Sequence, residues 1–424
     1  MNDKNLCEVF AWGEKIAILL EHNGIIYYEA KSDNALLFSP LKLKNKKTTT
    51  YPDLSFQSFL PGLISDHLPG SYGDKYMNAF FKKKQNKMPS TLEKLLFIGE
   101  HSIGALEFKP SIQSNIKGQI LELKDMHKLS KDALRGEHDF ELATLIAVSN
   151  SAGGGARAKA HVGFNADNEK LYVADKHASL PKDFEHAIVK FDENHEGTSI
   201  YIPREFAQKS VYTKTEYAYS SIAKKLGINM SDCYIVDTEQ GAHFVTKRFD
   251  YENNERKHLH SLSGLLHVDA AQQFATGYED IFEVAIALKT PVHAFEQIFK
   301  TMVFNMVFGN RDDHAKNFSF IMNKKKEWDF SPSYDLTYII NRGASSEHQL
   351  SIGGQPASWA CLTELEVIAS KFGIKDYKSI ILNTIDAKHE LLRSTLSPLD
   401  VPSNWINDIF ANTKEIDINL KKES

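Results

Sequence analysis

Cysteine is scarce: Cys7, Cys233 and Cys361 are the only three in 424 residues, far apart and odd in number. They form neither a disulfide framework nor a zinc-ligand pattern, which points to a reducing compartment. No window reaches the roughly 18 uninterrupted apolar residues of a membrane helix. Residues 1–12 are polar and charged where a signal peptide would need an apolar run. A basic surplus is missing as well, with 50 Lys plus Arg against 55 Asp plus Glu and a formal charge of −5. A protein that binds nucleic acid alone usually carries such a surplus, because phosphate contacts dominate affinity. Internal repeats and low-complexity tracts are lacking too. A soluble cytoplasmic protein with no membrane role is expected.

What is present is ordinary globular material: 42% hydrophobic, 25% charged and 11% aromatic residues, enough for a sizeable core. The length implies two or three packed units. Short β-forming runs at 7–12, 15–20 and 25–28, with a tight turn at Gly13, predict strands. Lys42, Lys44, Lys46 and Lys47 read as a solvated loop, residues 59–73 as a buried turn and helix, and 82–87 as an exposed basic run. Apolar spacing predicts a helix over 139–148. A glycine-rich stretch, SNSAGGGARAKA at 149–160, then leads into a hairpin of strands 160–164 and 170–174. Strands at 186–191 and 243–249 flank a helix at 214–226 that stops at Gly227. Beyond about 255 helices dominate, at 279–289, 291–309, 363–373 and 377–393, broken by short strands at 318–322 and 327–330. The pattern is an α+β, two-lobed arrangement, divided into 1–115, 116–255 and 256–424.

The strongest chemical signal is GNRDDHAKNF at 309–318, followed by SPSYD at 331–335. Phosphoryl transfer needs a carboxylate at the acceptor hydroxyl and oxygen ligands for Mg²⁺. Asp312 and Asn317 are five residues apart, the spacing of base and metal ligand in a kinase catalytic loop, and Asp335 follows 18 residues later as a second metal ligand. Two plainer readings stay open here. Asp312 or Asp313 could cap a helix, or His314 could join Asp312 and Asp313 in a different metal site. Gly153, Gly154 and Gly155, flanked by Ser151 and Arg157, can present backbone N–H groups to phosphates, though a flexible turn would look the same. Lys190 lies within the apolar run HAIVKF, and Glu216 opens the next helix. Each is unremarkable alone. Their order is that of a kinase: glycine loop, strand lysine, helix glutamate, connecting strand, Asp-x₄-Asn, metal Asp.

At these residues the chain resembles the HipA-type serine/threonine kinases over nearly its whole length. GGARAKA resembles the family's GGARPKA, with Ala158 in place of proline. KTEYAYSSIAKKLGI resembles its Asn-Glu helix, with Thr215 in place of Asn. VTKRFDY, GNRDDHAKNFSF, SPSYDLTY, LSIGG at 350–354 and LPGSYG at 68–73 resemble further family segments, with Asp313 where some members carry glycine. The resemblance implies a two-lobed protein-kinase-like fold that uses ATP and Mg²⁺. Asp312 would be the base, Asn317 and Asp335 metal ligands, Lys190 the phosphate lysine and Glu216 its partner. The nucleotide would also meet Ser151, Gly153, Gly154, Gly155, the strand of Val245, Lys247 and Phe249, and His314. His314 and Lys316 match the family loop, with packing and phosphate neutralisation both open for them. Ser149 or Ser151 would be autophosphorylated, which in the family expels the loop and switches the kinase off. The resemblance further implies a toxin of a toxin–antitoxin pair, acting on a protein substrate such as an aminoacyl-tRNA synthetase. A HipB-like helix-turn-helix antitoxin would be its partner, with DNA reached only through that antitoxin. A pseudokinase binding module and a small-molecule kinase are the alternatives.

Overall fold

A computed structural model describes residues 5–112, 118–135, 157–173, 180–192, 210–340 and 346–422. The chain divides into two compact units. The first holds Met1–Ile200, Val236–His260 and Met322–Lys326, and the second Tyr201–Ile235, Ser261–Ile321 and Glu327–Ser424.

The first unit begins with an antiparallel sheet of β1 (Leu6–Ala11), β2 (Glu14–His22), β3 (Ile25–Ala30) and β4 (Leu106–Lys109), in the order β3-β2-β1-β4. Trp12-Gly13 and Asn23-Gly24 turn its hairpins with φ of 50° and 81°, and 51° and 74°. Paired positive φ angles define the turns whose twist matches antiparallel strands. Val9 stands opposite both Ala17 and Phe108, so alternate residues line one buried face. The expected turn and helix at 59–73 is a single-turn helix, Gly62–Ser65, followed by α1 (Ser71–Gln85). Helix α2 (Thr91–Ile98) starts with a capping box of Ser90 and Glu93. Phe97 of α2 packs against Phe80 and Phe81 of α1. The basic run at 82–87 is exposed apart from the half-buried Gln85.

A second sheet contains β5 (Gln119–Glu122), β6 (Lys159–Asn165), β7 (Lys170–Val173), β8 (Glu185–Lys190), β9 (Cys233–Thr238) and β10 (Gly241–Lys247), in the order β5-β7-β6-β8-β10-β9. Helix α3 (Leu123–Arg135) follows β5. The small hairpin of β11 (Tyr251–Glu252) and β12 (Glu255–Arg256) leads to β13 (His258–Ser261). The strand expected over 243–249 runs Gly241–Lys247, so Phe249 lies past its end. There Arg248 and Asp250 form a buried ion pair, with Nε to Oδ1 at 3.0 Å and Nη2 to Oδ2 at 2.6 Å. Asp250 also accepts from the Gly104 amide at 2.7 Å, which ties the end of β10 to the residues before β4.

The second unit is helical. Its centre is α6 (His293–Phe308), whose Phe299, Met302, Val303, Phe304, Met306, Val307 and Phe308 are all fully buried. A helix buried on most faces belongs at the middle of a packed layer. Around it pack α5 (Tyr278–Leu288), α8 (Tyr377–Leu396) and α9 (Ser403–Lys421), while α4 (Val211–Lys225) lies against α8. Helix α7 (Leu362–Phe372) and the hairpins β14 (Ser319–Met322)–β15 (Trp328–Phe330) and β16 (Ser351–Ile352)–β17 (Gln355–Pro356) complete it. Gly353 and Gly354 turn the last hairpin at φ of 57° and 74°, which explains the paired glycines of LSIGG. Among the described residues no helix is long and apolar enough to cross a membrane.

Candidate functional site

The catalytic-loop residues hang from the end of α6. Gly309 ends that helix at φ 66°, where an added Cβ would come within 2.9 Å of Thr413 Cγ2, so both angle and space demand glycine. The Asn310 amide then donates to the Asn305 carbonyl at 2.9 Å, and its side-chain nitrogen donates to Asn305 Oδ1 at 2.9 Å. Residues 310–318 carry no helix, so neither Asp312 nor Asp313 is a helix cap. Backbone bonds hold the loop's far end: Ser263 N donates to Ala315 O at 3.1 Å, and Leu262 N to Phe318 O at 2.8 Å.

The two adjacent aspartates have opposite surroundings. The Asp312 side chain is 46% exposed. Asp313 is fully enclosed: Oδ1 accepts from the Gln349 amide at 2.7 Å, and Oδ2 from Tyr278 OH at 2.6 Å and His348 Nδ1 at 2.8 Å. With both its oxygens committed, Asp313 cannot serve a metal site with Asp312 and His314. Among the described residues no group of three or more His, Cys, Asp or Glu could hold an ion. His314 Nε2 lies 3.8 Å from Asp312 Oδ1. Asn317 spans the loop, its Nδ2 donating to the Asp312 carbonyl at 2.7 Å. That leaves its Oδ1 as an oxygen donor of the hard kind that Mg²⁺ takes.

The segment of Asp335 is fixed beside this loop. Ser333 N donates to the Asn229 carbonyl at 2.8 Å, and its hydroxyl pairs with Thr301 Oγ1 at 2.8 Å. Tyr334 OH donates to the Lys316 carbonyl at 2.7 Å. One small cavity is lined by Asn310, Asn317, Ser333, Tyr334 and Leu336 among others, so loop and segment are neighbours. Asp335 itself sits at φ 54°, a left-handed conformation that aspartate tolerates better than most residues and that concentrates at functional positions.

Glu216 is 2% exposed and lies in the second turn of α4, because the helix begins at Val211 rather than at the expected Lys214. Thr215, which stands where asparagine is usual in the motif, donates its hydroxyl to the Val211 carbonyl at 2.6 Å and accepts from Trp405 Nε1 at 3.1 Å.

In the first unit Lys190 is 7% exposed at the end of β8, with Nζ 5.8 Å over the ring of Phe244. The register pairs Lys190 with Phe244 on one side and with Lys159 on the other. Cross-strand partners share a face, so Lys159, itself 8% exposed, is a second buried cation beside Lys190 that the sequence reading missed. Only the strand register could have found it. By the same alternation Val245 and Lys247 point away from the Lys190 face, which Phe244 and Thr246 share instead. Val245 is fully buried, Lys247 pairs with Glu185, and Phe249 is half-buried. Ser149, Ser151, Gly153, Gly154 and Gly155, with the helix expected at 139–148, lie outside the described residues.

Residues 151–391, more than half of the chain, match the family described as the HipA-like C-terminal domain. The chain is 23% identical over 145 residues to a putative kinase, Y4dM, of Sinorhizobium fredii, covering 31% of this chain and 36% of that protein. It is 26% identical over 145 residues to the serine/threonine-protein kinase toxin HipA of Shewanella oneidensis, covering 29% and 33%. These matches therefore span about a third of each relative. The fold extends further. Shewanella oneidensis HipA, solved with HipB and operator DNA, superposes with a TM-score of 0.66 at 14% identity, over 97% of this chain and 96% of that one. The α+β fold, strand-rich first and helical second, is the HipA fold.

Proposed function

This chain belongs to the HipA-like family, and from that premise we propose that it is an ATP- and Mg²⁺-dependent protein serine/threonine kinase. The observation that carries the reading is the contrast within the catalytic loop. One aspartate is buried and saturated, while its neighbour Asp312 is left open to solvent on a loop held by Asn310 and Asn317. In this reading Asp312 orients the acceptor hydroxyl and takes its proton as the phosphoryl group leaves ATP. Asn317 Oδ1 and the Asp335 carboxylate would hold Mg²⁺, an all-oxygen donor pair suited to that ion. When bound, the ion supplies neutralisation of charge on the phosphates. Lys190 faces those phosphates with Lys159 beside it, and Glu216 orients Lys190. On the same reading the strand of Val245 would meet the adenine, and Gly153, Gly154 and Gly155 would meet the phosphates. His314, 3.8 Å from Asp312, is placed to steady that carboxylate when protonated.

The same reading makes the chain the toxin of a toxin–antitoxin pair. Its partner would be a HipB-like helix-turn-helix protein, its contact with DNA indirect, and its substrate a translation component such as an aminoacyl-tRNA synthetase. Support comes from the named HipA toxin among the relatives and from the HipA–HipB–operator assembly with the same fold. A cytoplasmic setting follows. Phosphorylation of Ser149 or Ser151 would place close to two negative charges beside the ATP phosphates and eject the loop. Incubation with Mg²⁺ and radiolabelled ATP followed by phosphosite mapping tests this. Label on Ser149 or Ser151 that is lost in the double alanine variant is expected. Transfer without label in that loop would overturn the switch.

A further inference from the structure

Asp313 has no part in the chemistry just assigned, yet it is the point where three segments of the second unit meet. We propose that Asp313 is a positioning residue for the transfer reaction, clamping the chain that returns from the metal segment onto the catalytic loop through His348 and Tyr278. The proposal rests on the kinase reading and deepens it.

The bonds close a ring around Asp312. Its amide donates to Asn310 Oδ1 at 3.4 Å, Asn310 Nδ2 to Asn305 Oδ1 at 2.9 Å, and Asn305 Nδ2 to Tyr278 OH at 3.2 Å. Tyr278 OH donates to Asp313 Oδ2, which is one peptide bond from the start. Tyr278 is kept a donor: burial, with the Asp313 charge beside it, pushes its phenol well above the usual range. Every member of this ring is buried except Asp312 itself. Linked hydrogen bonds away from water reinforce one another.

His348 joins the ring to the chain beyond Asp335. Its Nδ1 must carry the proton it gives to the carboxylate. Among the described residues the buried Nε2 meets no partner, and it then presents only a lone pair, which is less costly to enclose than an N–H. The flanking backbone is fixed in turn. Gln273 Nε2 donates to the His348 carbonyl at 3.0 Å, Phe274 N to the Gln349 carbonyl at 2.8 Å, and Ser351 N to the Thr276 carbonyl at 3.2 Å. Residues 348–351 thus run along 273–278 into α5, and Asp313 is the catalytic-loop residue that grips them. A carboxylate pinned by three donors limits where the next side chain along, that of Asp312, can point.

The test compares Asp313→Asn, His348→Leu, His348→Asn and Tyr278→Phe with wild type, reading kcat, KM for ATP and the melting midpoint. An Asn amide nitrogen can take the place of His348 Nδ1, whereas Leu fills the space without a donor. Asp313→Asn and His348→Leu should lower kcat about 10- to 100-fold while ATP KM moves less than about twofold, the scale of a small misplacement at the reacting centre. His348→Asn should recover most of the loss. If Asp313→Asn does not fold, Tyr278→Phe, which removes one hydrogen bond and keeps the ring, carries the test with a severalfold fall in kcat. Folded variants with unchanged kcat beside an active wild type overturn this proposal alone, as does His348→Asn with no more activity than His348→Leu. A wild type that transfers no phosphate overturns the kinase reading and this proposal with it.

Discussion

Two adjacent aspartates divide the work of one loop. Asp313 is buried against three donors, while the Asp312 side chain is about half exposed. The spacing to Asn317 singles out Asp312 in the sequence, but nothing there gives Asp313 its buried partners. If Asp312 is the base proposed above, its loss should be far more specific than loss of its neighbour's charge. Asp312→Asn is expected to lower kcat about 10²- to 10⁴-fold, the range for a positioned acid–base group, with ATP affinity and melting midpoint near wild type. Asp335→Asn should instead raise the Mg²⁺ concentration for half-maximal transfer by about tenfold or more, since losses even one sphere further out weaken metal sites on that scale. A magnesium titration of transfer rate checks it, and an unchanged midpoint would remove Asp335 from the metal site. Asp312, Asn317 and Asp335 could be proposed from the sequence because their spacing along one stretch is itself the signal. Asp313's partner His348 and Lys190's neighbour Lys159 were not. Their meanings come from a contact 35 residues away and from a strand register.

At the scale of elements, the chain beyond β10 shows why a motif can be read without its purpose being known. Arg248 and Asp250 resemble a family signature, and the structure gives them a structural task, tying β10 to the residues before β4. Arg248→Met should destabilise the protein by about 3–5 kcal/mol, because it strands a buried carboxylate. Urea unfolding measures this, and a loss under about 1 kcal/mol would show the pair to be dispensable. Acid acts on the same unit. Burial, foremost, lowers His67 and His186 to about 4 from the ordinary 6.5. The native state keeps both neutral where the unfolded chain would be protonated, so their contribution is full above pH 6.5 and is lost as pH falls towards 4. The melting midpoint should decline across that window, and His67→Phe, against the ring of Phe108, should blunt the decline. Burial would also raise Asp250, but the Arg248 guanidinium and the Gly104 amide outweigh it and hold the carboxyl well below the usual range, so its loss falls at still lower pH. Helix α2 was missed in the sequence although Ser90 and Glu93 frame its start three residues apart. That capping signal was present, and its short apolar run was overshadowed by the basic stretch before it. Helix boundaries such as Val211 for α4 shifted because Ser210, at φ 67°, starts the helix without the usual side-chain cap.

At the scale of the whole molecule, the charge of −5 and the HipA fold set different limits on partners. Without a basic surplus, the chain alone should not retain operator DNA in a gel-shift at physiological salt, and retention should appear only with a helix-turn-helix partner. Strong retention by the chain alone would contradict indirect DNA contact. The fold class was legible because a strand-rich half with a glycine loop precedes a helical half, and the kinase order of residues follows that change. The measurement that bears most directly on the central claim is phosphate transfer from radiolabelled ATP with Mg²⁺, wild type against Asp312→Gln, scored on the protein itself and on translation factors in a cell extract. Mg²⁺-dependent label with the wild type and none with the variant is the expected result. Equal label from both, or no label and no ATP binding by the wild type, would contradict it.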